Sequence, residues 1–134
     1  MRRVLSLCKG FYVKSIILVS HDPELIADCR DVCKERQMQL SIEPEWRRAL
    51  DRSRTANLMI VDLLATLSPP HRISGYVRFA ESKMESAAAA TPIALIGAPD
   101  SYRLDGMVGW PGFLAAFVPR PVDDDCLHYL LDHA

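Results

Sequence analysis

The stretch NLMIVD at residues 57–62 decides the fold of this chain. Four consecutive apolar residues lie between an asparagine and a single acid, with no polar alternation. Such a run is typical of a strand that is buried on both faces of a parallel sheet. The same pattern recurs in KSIILVS at 14–20 and in PIALIGA at 92–98. Several strands of this kind predict an α/β protein with helices on both faces of its sheet.

Helical patterns and two shorter strands fill the intervals between these runs. Asp22 can cap a helix that has Pro23 at its first position and apolar residues at helical spacing up to residue 37. The other predicted elements are a strand over 38–42, a helix opening at Pro44, a helix over 74–90 with Met84 on its apolar face, a short helix over 101–108, a strand over 113–118 and a helix after Pro121. This alternation predicts a flavodoxin-like (βα)5 three-layer sandwich, with a parallel five-stranded sheet in the order 2-1-3-4-5.

Length and composition predict a single α/β domain over 15–134 that follows an extension over 1–14. The net charge of −1 argues against nucleic-acid and membrane partners. No apolar run approaches the roughly 20 residues that span a bilayer. The four cysteines form no CxxC pair, and Cys29 and Cys33 are expected to pack as small hydrophobic residues on one helix. Free thiols fit a cytoplasmic location.

Ligands of such sheets sit outside the carboxyl ends of the strands, where the strand order switches. The residues predicted to line this pocket are Ser20, His21, Asp22, Asp62, Gly97, Ala98 and Arg120. Asp62 ends the central strand, and Arg120 follows the last strand. An acid that faces a cation in this way predicts an Asp62–Arg120 ion pair.

These strand ends resemble those of bacterial response-regulator receiver domains, and the resemblance covers roughly residues 15–133. NLMIVDL at 57–63 matches the third strand of that family, which ends in the phosphoacceptor aspartate. The resemblance therefore makes Asp62 the candidate phosphoacceptor. It implies a role in two-component signal transduction, or phosphorelay, and no enzyme activity in the ordinary sense.

The fifth strand extends the resemblance. FVPRP at 117–121 stands where receivers carry an aromatic residue followed by Lys-Pro. The resemblance makes Phe117 the candidate switch aromatic, and it implies a cis peptide bond between Arg120 and Pro121. An ordinary core role for Phe117 is the alternative.

The departures from the receiver pattern concern its phosphorylation chemistry. Ser20 and His21 replace the acid pair that helps to hold Mg²⁺, and Asp22 stands one position along, an offset that can turn its side chain away. The hydroxyl expected at the end of the fourth strand is missing at Gly97. Asp22 and Asp62 are the remaining candidates for a metal site, and we expect neither Mg²⁺ nor another cofactor.

These observations predict a degenerate receiver, or pseudo-receiver, that acts through protein–protein interaction. Its partner would be a sensor kinase, a downstream regulator or a second copy in a homodimer. The segment WPGF at 110–113 is a candidate for that contact. Two alternatives stay open: a phosphorylatable receiver that uses Asp62, and an unrelated flavodoxin-like domain that binds a small ligand. The second is disfavoured because the chain has no GxGxxG, P-loop or nucleophile elbow.

Overall fold

The computed structural model describes residues 13–63, 78, 81, 83–85, 90–97 and 115–134 of the chain. Within these residues, five strands and three helices have defined bounds. In chain order they are β1 (Ser15–Val19), α1 (Pro23–Glu35), β2 (Gln39–Glu43), α2 (Trp46–Ser53), β3 (Leu58–Asp62), β4 (Ile93–Gly97), β5 (Ala116–Pro119) and α3 (Asp124–Leu131).

The strands form one parallel sheet in the order β2-β1-β3-β4-β5, which confirms the predicted topology. β3 lies at the centre, and all five of its residues are buried. Val61 pairs with Val19 of β1, and Asp62 pairs with Ile96 of β4. The last residue of β3 therefore lies at the edge of the sheet where its neighbours also end.

Each face of the sheet carries its own apolar core, because successive strand residues point to opposite faces. On one face, Ile16 and Ile60 pack with residues of α1 and α3. On the other face, Ile17 and Met59 pack with Ala49 of α2. Burial on both faces explains why the strand sequences are unbroken apolar runs. This is the three-layer arrangement that those runs predict.

The first helix begins as the sequence predicts. Asp22 is its N-cap, and the Oδ1 atom accepts hydrogen bonds from the backbone N–H groups of Glu24 at 3.0 Å and Leu25 at 3.4 Å. Pro23 follows in the first turn, where its missing N–H costs no helical hydrogen bond. The cap directs the Asp22 carboxylate toward the edge of the sheet at which β1 ends.

Two cysteines of α1 belong to the core. Cys29 and Cys33 are buried in the cluster between α1, α3 and the sheet. A hydrogen bond with Cys33, together with burial, raises the pKa of the Cys29 thiol well above its ordinary value. A thiol that stays protonated is a poor nucleophile and a poor metal ligand. The structure confirms the prediction that these residues pack as small hydrophobic groups.

The last helix also has an acidic cap. The Asp123 side chain accepts a hydrogen bond from the backbone N–H of Cys126 at 2.9 Å. Leu127, Leu130 and Leu131 are buried against the sheet, as their spacing predicts. The cap and this apolar stripe together set where the helix begins and which face it buries.

Replacing Asp123 by alanine is expected to lower the thermal midpoint of unfolding at neutral pH. Hydrogen bonding to the Cys126 N–H holds the pKa of Asp123 below its ordinary value. Its stabilising contribution is therefore complete above the unfolded-state pKa of about 4 and is lost as the pH falls through the lower folded-state pKa. Circular dichroism melts of the two proteins should differ at neutral pH and converge at an acidic pH at which Asp123 is protonated in the folded state as well. An equal difference at both pH values would contradict the capping role.

Several predicted features fall outside the described residues: the extension as far as residue 12, the helix over 101–108, the segment at 110–113, the first residues of the strand predicted from 113, and most of the helix over 74–90. Cys8 and Ala98 also fall there. Within 74–90, residues 78, 81, 83 and 84 have helical backbone. In the part of the chain that is described, no helix has the length and apolar character needed to cross a membrane.

One prediction about the 74–90 helix is wrong. Met84, expected on its apolar face, is 53% exposed, and the neighbouring Lys83 is fully buried. Successive residues of a helix differ by about 100° around its axis, so the side chains of Lys83 and Met84 leave it in different directions. Burial lowers the pKa of Lys83.

Candidate functional site

The candidate site lies at the carboxyl edge of the sheet, where three strands end. Ser20 follows β1, Asp62 is the last residue of β3, and Arg120 follows β5. Because all five strands are parallel, their carboxyl ends meet at one edge, and side chains distant in sequence come into contact there. Ser20 and Asp62 are 42 positions apart, and Asp62 and Arg120 are 58 positions apart.

Asp62 is fully buried at the centre of this edge. Its Oδ2 atom accepts a hydrogen bond from the Ser20 hydroxyl at 2.8 Å and another from Nη2 of Arg120 at 2.7 Å. The predicted Asp62–Arg120 ion pair is therefore confirmed. Hydrogen bonds between charged groups are among the strongest in proteins, and this one neutralises a carboxylate that water does not reach.

Asp22 faces the site, although its offset from the acid-pair positions suggested that it could point away. Its Oδ2 atom lies 3.1 Å from Nη2 of Arg120, while its Oδ1 atom caps α1. The backbone N–H of Asp22 donates to the Ser20 hydroxyl oxygen at 3.0 Å. The helix cap therefore positions this carboxylate, and both of its oxygens have defined partners.

These contacts close into a ring, which we name the polar ring. It runs from Ser20 Oγ to Asp62 Oδ2, to Arg120 Nη2, to Asp22 Oδ2, and back through the Asp22 N–H to Ser20 Oγ. Burial lowers the pKa of Arg120, but hydrogen bonds and charge attraction from Asp62 and Asp22 outweigh it and raise the pKa above its ordinary value. The guanidinium is therefore charged at physiological pH.

In the sequence, Ser20 is notable only because it replaces an acid of the receiver pattern. Its role as a bridge between Asp62 and the Asp22 backbone is not apparent there. The hydroxyl donates to Asp62 and accepts from the backbone two residues ahead. A serine placed two residues before a helix cap is a known signal for such a local turn. The signal was present in the order Ser20-His21-Asp22, but the contact with Asp62 depends on how β1 and β3 are aligned.

Of the other predicted pocket residues, His21 and Gly97 are described, and neither joins the polar ring. His21 is exposed, and its Nε2 atom lies 2.6 Å from the carbonyl oxygen of Pro44. Gly97 is the buried last residue of β4, beside Pro119. Phe117 is half-buried and packs against the core on the α2 face of the sheet. Its role as a switch aromatic stays a prediction.

The peptide bond between Arg120 and Pro121 is cis, which confirms the prediction made from the resemblance. This bond joins β5 to the segment that leads into α3. It lies directly beside the guanidinium-bearing residue of the polar ring.

The residues of the polar ring do not match a Mg²⁺ site. Mg²⁺ demands near-octahedral oxygen ligation at about 2.0–2.1 Å. Here the Oδ2 atoms of Asp22 and Asp62 converge on a guanidinium nitrogen, so the position between them already holds a cation. Among the described side chains, no group of three or more histidines, cysteines and acids is arranged to hold a metal ion.

No family model matches the chain, and no curated protein matches it in sequence. Solved structures match it over nearly its whole length. The chemotaxis response regulator CheY4 of Vibrio cholerae is 16% identical with a TM-score of 0.66, covering 90% of this chain and 98% of that chain. A CheY-like response regulator receiver domain protein from Methanospirillum hungatei is 13% identical with a TM-score of 0.68, covering 90% and 92%.

A third similar structure is the signal receiver domain of an HD domain-containing protein from Pseudomonas fluorescens. It is 16% identical with a TM-score of 0.67, covering 96% of this chain and 90% of that chain. At sequence identities this low, the similarity shows a shared backbone fold and does not assign functions to individual residues. The sheet order, the flanking helices and the structural neighbours together show that this chain has the CheY-like, flavodoxin-type fold of response-regulator receiver domains.

Proposed function

We propose that this chain is a degenerate receiver-like signalling domain that acts through contact with another protein, without normal Mg²⁺-dependent phosphorylation of Asp62. The observation that carries the proposal is the burial and the hydrogen bonding of the Asp62 carboxylate. It is fully buried, and its Oδ2 atom accepts hydrogen bonds from both Ser20 and Arg120. Hydrogen bonds from a cation and a hydroxyl draw electron density from this carboxylate and make it a weaker nucleophile toward a phosphoryl donor.

The surroundings of Asp62 support the same conclusion. Phosphoryl transfer depends on positioning and on cations that neutralise the transferring group. Arg120 is the cation of this site, and its charge is already shared between Asp62 and Asp22. Gly97 at the end of β4 offers no hydroxyl for a phosphoryl oxygen. Among the described residues, neither the guanidinium nor the end of β4 is therefore arranged to hold a transferred phosphoryl group.

We infer that such a domain acts through a protein partner. The similar structures carry the names of response regulators and signal receiver domains, and their fold is the one described here. We propose a sensor kinase, a downstream regulator or a second copy of the chain as partner. The net charge of −1 favours none of these over another but disfavours a nucleic acid. The proposed location is the cytoplasm.

Incubation with acetyl phosphate and Mg²⁺ tests the central claim. We expect intact-protein mass spectrometry to show no added phosphoryl group on the wild-type chain, because Asp62 Oδ2 is engaged and the described residues around it form no metal site. Asp62→Asn is the matched control, and a receiver domain with a complete acid pair, treated in parallel, shows that the donor is active. A phosphoryl adduct on the wild type that Asp62→Asn abolishes would refute the proposal.

That opposite result would favour a second candidate function, a phosphorylatable receiver that uses Asp62. One observation supports it: the acid at the end of the central strand faces a cation that follows β5, which is the arrangement the receiver resemblance implies. In that case the Asp62→Asn variant should also abolish signalling in cells. Under the first proposal, the same substitution leaves signalling unchanged.

A further inference from the structure

The position between the two carboxylates of the site is filled by a side chain of the protein itself. A single nitrogen, Nη2 of Arg120, lies 2.7 Å from Oδ2 of Asp62 and 3.1 Å from Oδ2 of Asp22. Both distances are those of direct hydrogen-bonded ion pairs. One nitrogen therefore contacts both acids at the point on which a shared metal ion would have to lie.

The positive charge of Arg120 offsets the repulsion between the two carboxylates. Asp62 is fully buried, and the side chains of Asp22 and Arg120 are only 26% and 21% exposed. Two carboxylates brought together in such a place repel each other unless a cation lies between them. An arginine supplies that cation permanently, because its guanidinium does not lose its proton under physiological conditions.

The same contacts join distant parts of the chain. Asp22 follows β1 and caps α1, Asp62 ends β3, and Arg120 follows β5. The Ser20 hydroxyl completes the connection, since it bonds both to Asp62 and to the Asp22 backbone. A metal ion between the two Oδ2 atoms would have to displace the guanidinium from both carboxylates and open this ring. Mg²⁺, which gives up its bound water reluctantly, is poorly suited to do so.

We propose that the Arg120 guanidinium is the resident cation of this site, which holds Asp22 and Asp62 together and excludes divalent metal ions as long as it is present. Removing it converts the two carboxylates and the Ser20 hydroxyl into an oxygen-lined site that binds a divalent cation. This inference goes beyond the proposed function, because it concerns cation binding and holds whether or not the domain signals. It also assigns Arg120 a role distinct from that of a phosphate-binding lysine.

Titration with Mn²⁺, followed by water-proton relaxation and by calorimetry, tests this assignment. Wild-type protein should show no saturable binding up to the highest Mn²⁺ concentration used, and Arg120→Ala should bind one Mn²⁺ with a dissociation constant at least about tenfold below that concentration. The double variant Arg120→Ala with Asp62→Asn should lose this binding. Arg36→Ala is the matched control, since it removes another arginine that pairs with an acid, Asp132, at a different place.

Two results would overturn the assignment. One is saturable Mn²⁺ binding by the wild type that Asp62→Asn abolishes, because the guanidinium would then not exclude the metal. The other is a folded Arg120→Ala protein, as judged by circular dichroism, that binds Mn²⁺ no better than the wild type. If the alanine variant does not fold, Arg120→Gln, which keeps a long polar side chain without the charge, takes its place. Phosphorylation is not measured in any arm, so failure here is distinguishable from failure of the proposed function.

Discussion

Arg120→Met is expected to lower the free energy of unfolding by about 2–3 kcal/mol. Methionine keeps much of the length and apolar stem of arginine but removes the charge that faces Asp62 and Asp22. Breaking a fully buried pair by removing one partner costs about 3–5 kcal/mol of unfolding free energy. Because the Arg120 side chain is 21% exposed, we expect a somewhat smaller loss for this pair. Urea unfolding of both proteins at neutral pH measures the difference.

A second arginine, in an exposed ion pair, serves as the control for this loss of stability. Arg48 pairs with Glu45, and both side chains are largely exposed, at 73% and 68%, so Arg48→Met should cost less than about 1 kcal/mol. A double-mutant cycle with Asp62→Asn isolates the Asp62–Arg120 coupling, which we expect at about 1–3 kcal/mol. Equal losses for the two arginine variants would contradict a special role for the polar ring.

The pH dependence of this contribution follows from the pKa of Arg120. Asp62 and Asp22 raise that pKa above its ordinary value, despite the opposing effect of burial. A group whose pKa is raised on folding contributes stability that is complete below the unfolded-state pKa and is lost only as the pH rises through the folded-state pKa. For arginine that loss lies above about pH 12. Titration of Arg120 therefore does not change its contribution near neutral pH.

Ile60→Ala is expected to have the largest effect on stability, a loss of about 3–4 kcal/mol. Ile60 has no exposed surface, lies in the central strand and packs in the core beneath α1 and α3. Removing its buried methyl and methylene groups loses their transfer free energy and leaves a cavity that the rigid sheet closes only in part.

Val13→Ala is the matched control for that substitution. Val13 is 53% exposed and lies ahead of β1, so its truncation should change stability by less than about 0.5 kcal/mol. Urea unfolding measures both variants, and the slope of the transition should stay the same in each. A loss below about 1 kcal/mol for Ile60→Ala would mean that the central strand is not the rigid core described here.

Local patterns were sufficient for some parts of the site and not for others. Asp22 and Pro23 form a helix start that depends on adjacent residues alone, and it appears as predicted. The Asp62–Arg120 pair could be predicted because both residues follow strands of a parallel sheet, and such ends converge. The contact between Asp22 and Arg120 could not, because it depends on the direction in which the capped carboxylate leaves the first turn of α1.

The 74–90 helix shows another feature that local sequence patterns do not predict. Its apolar spacing predicts Met84 on the buried face, but Met84 is 53% exposed and Lys83 is buried. The rotation of a helix about its axis is set by tertiary packing, which the spacing does not report. Sequence periodicity reports which residues share a face, but not by itself which of two neighbours lies at its centre.

The sequence by itself determined the layered architecture, the strand order and the edge of the sheet at which the polar residues gather. Its unbroken apolar runs can be satisfied only by burial on both faces, and alternation with helices makes the sheet parallel. Only the tertiary structure decided that Ser20, Asp22, Asp62 and Arg120 close into one ring of hydrogen bonds and ion pairs. That ring depends on distances of a few ångströms between residues from three strand ends, which spacing along the chain does not encode.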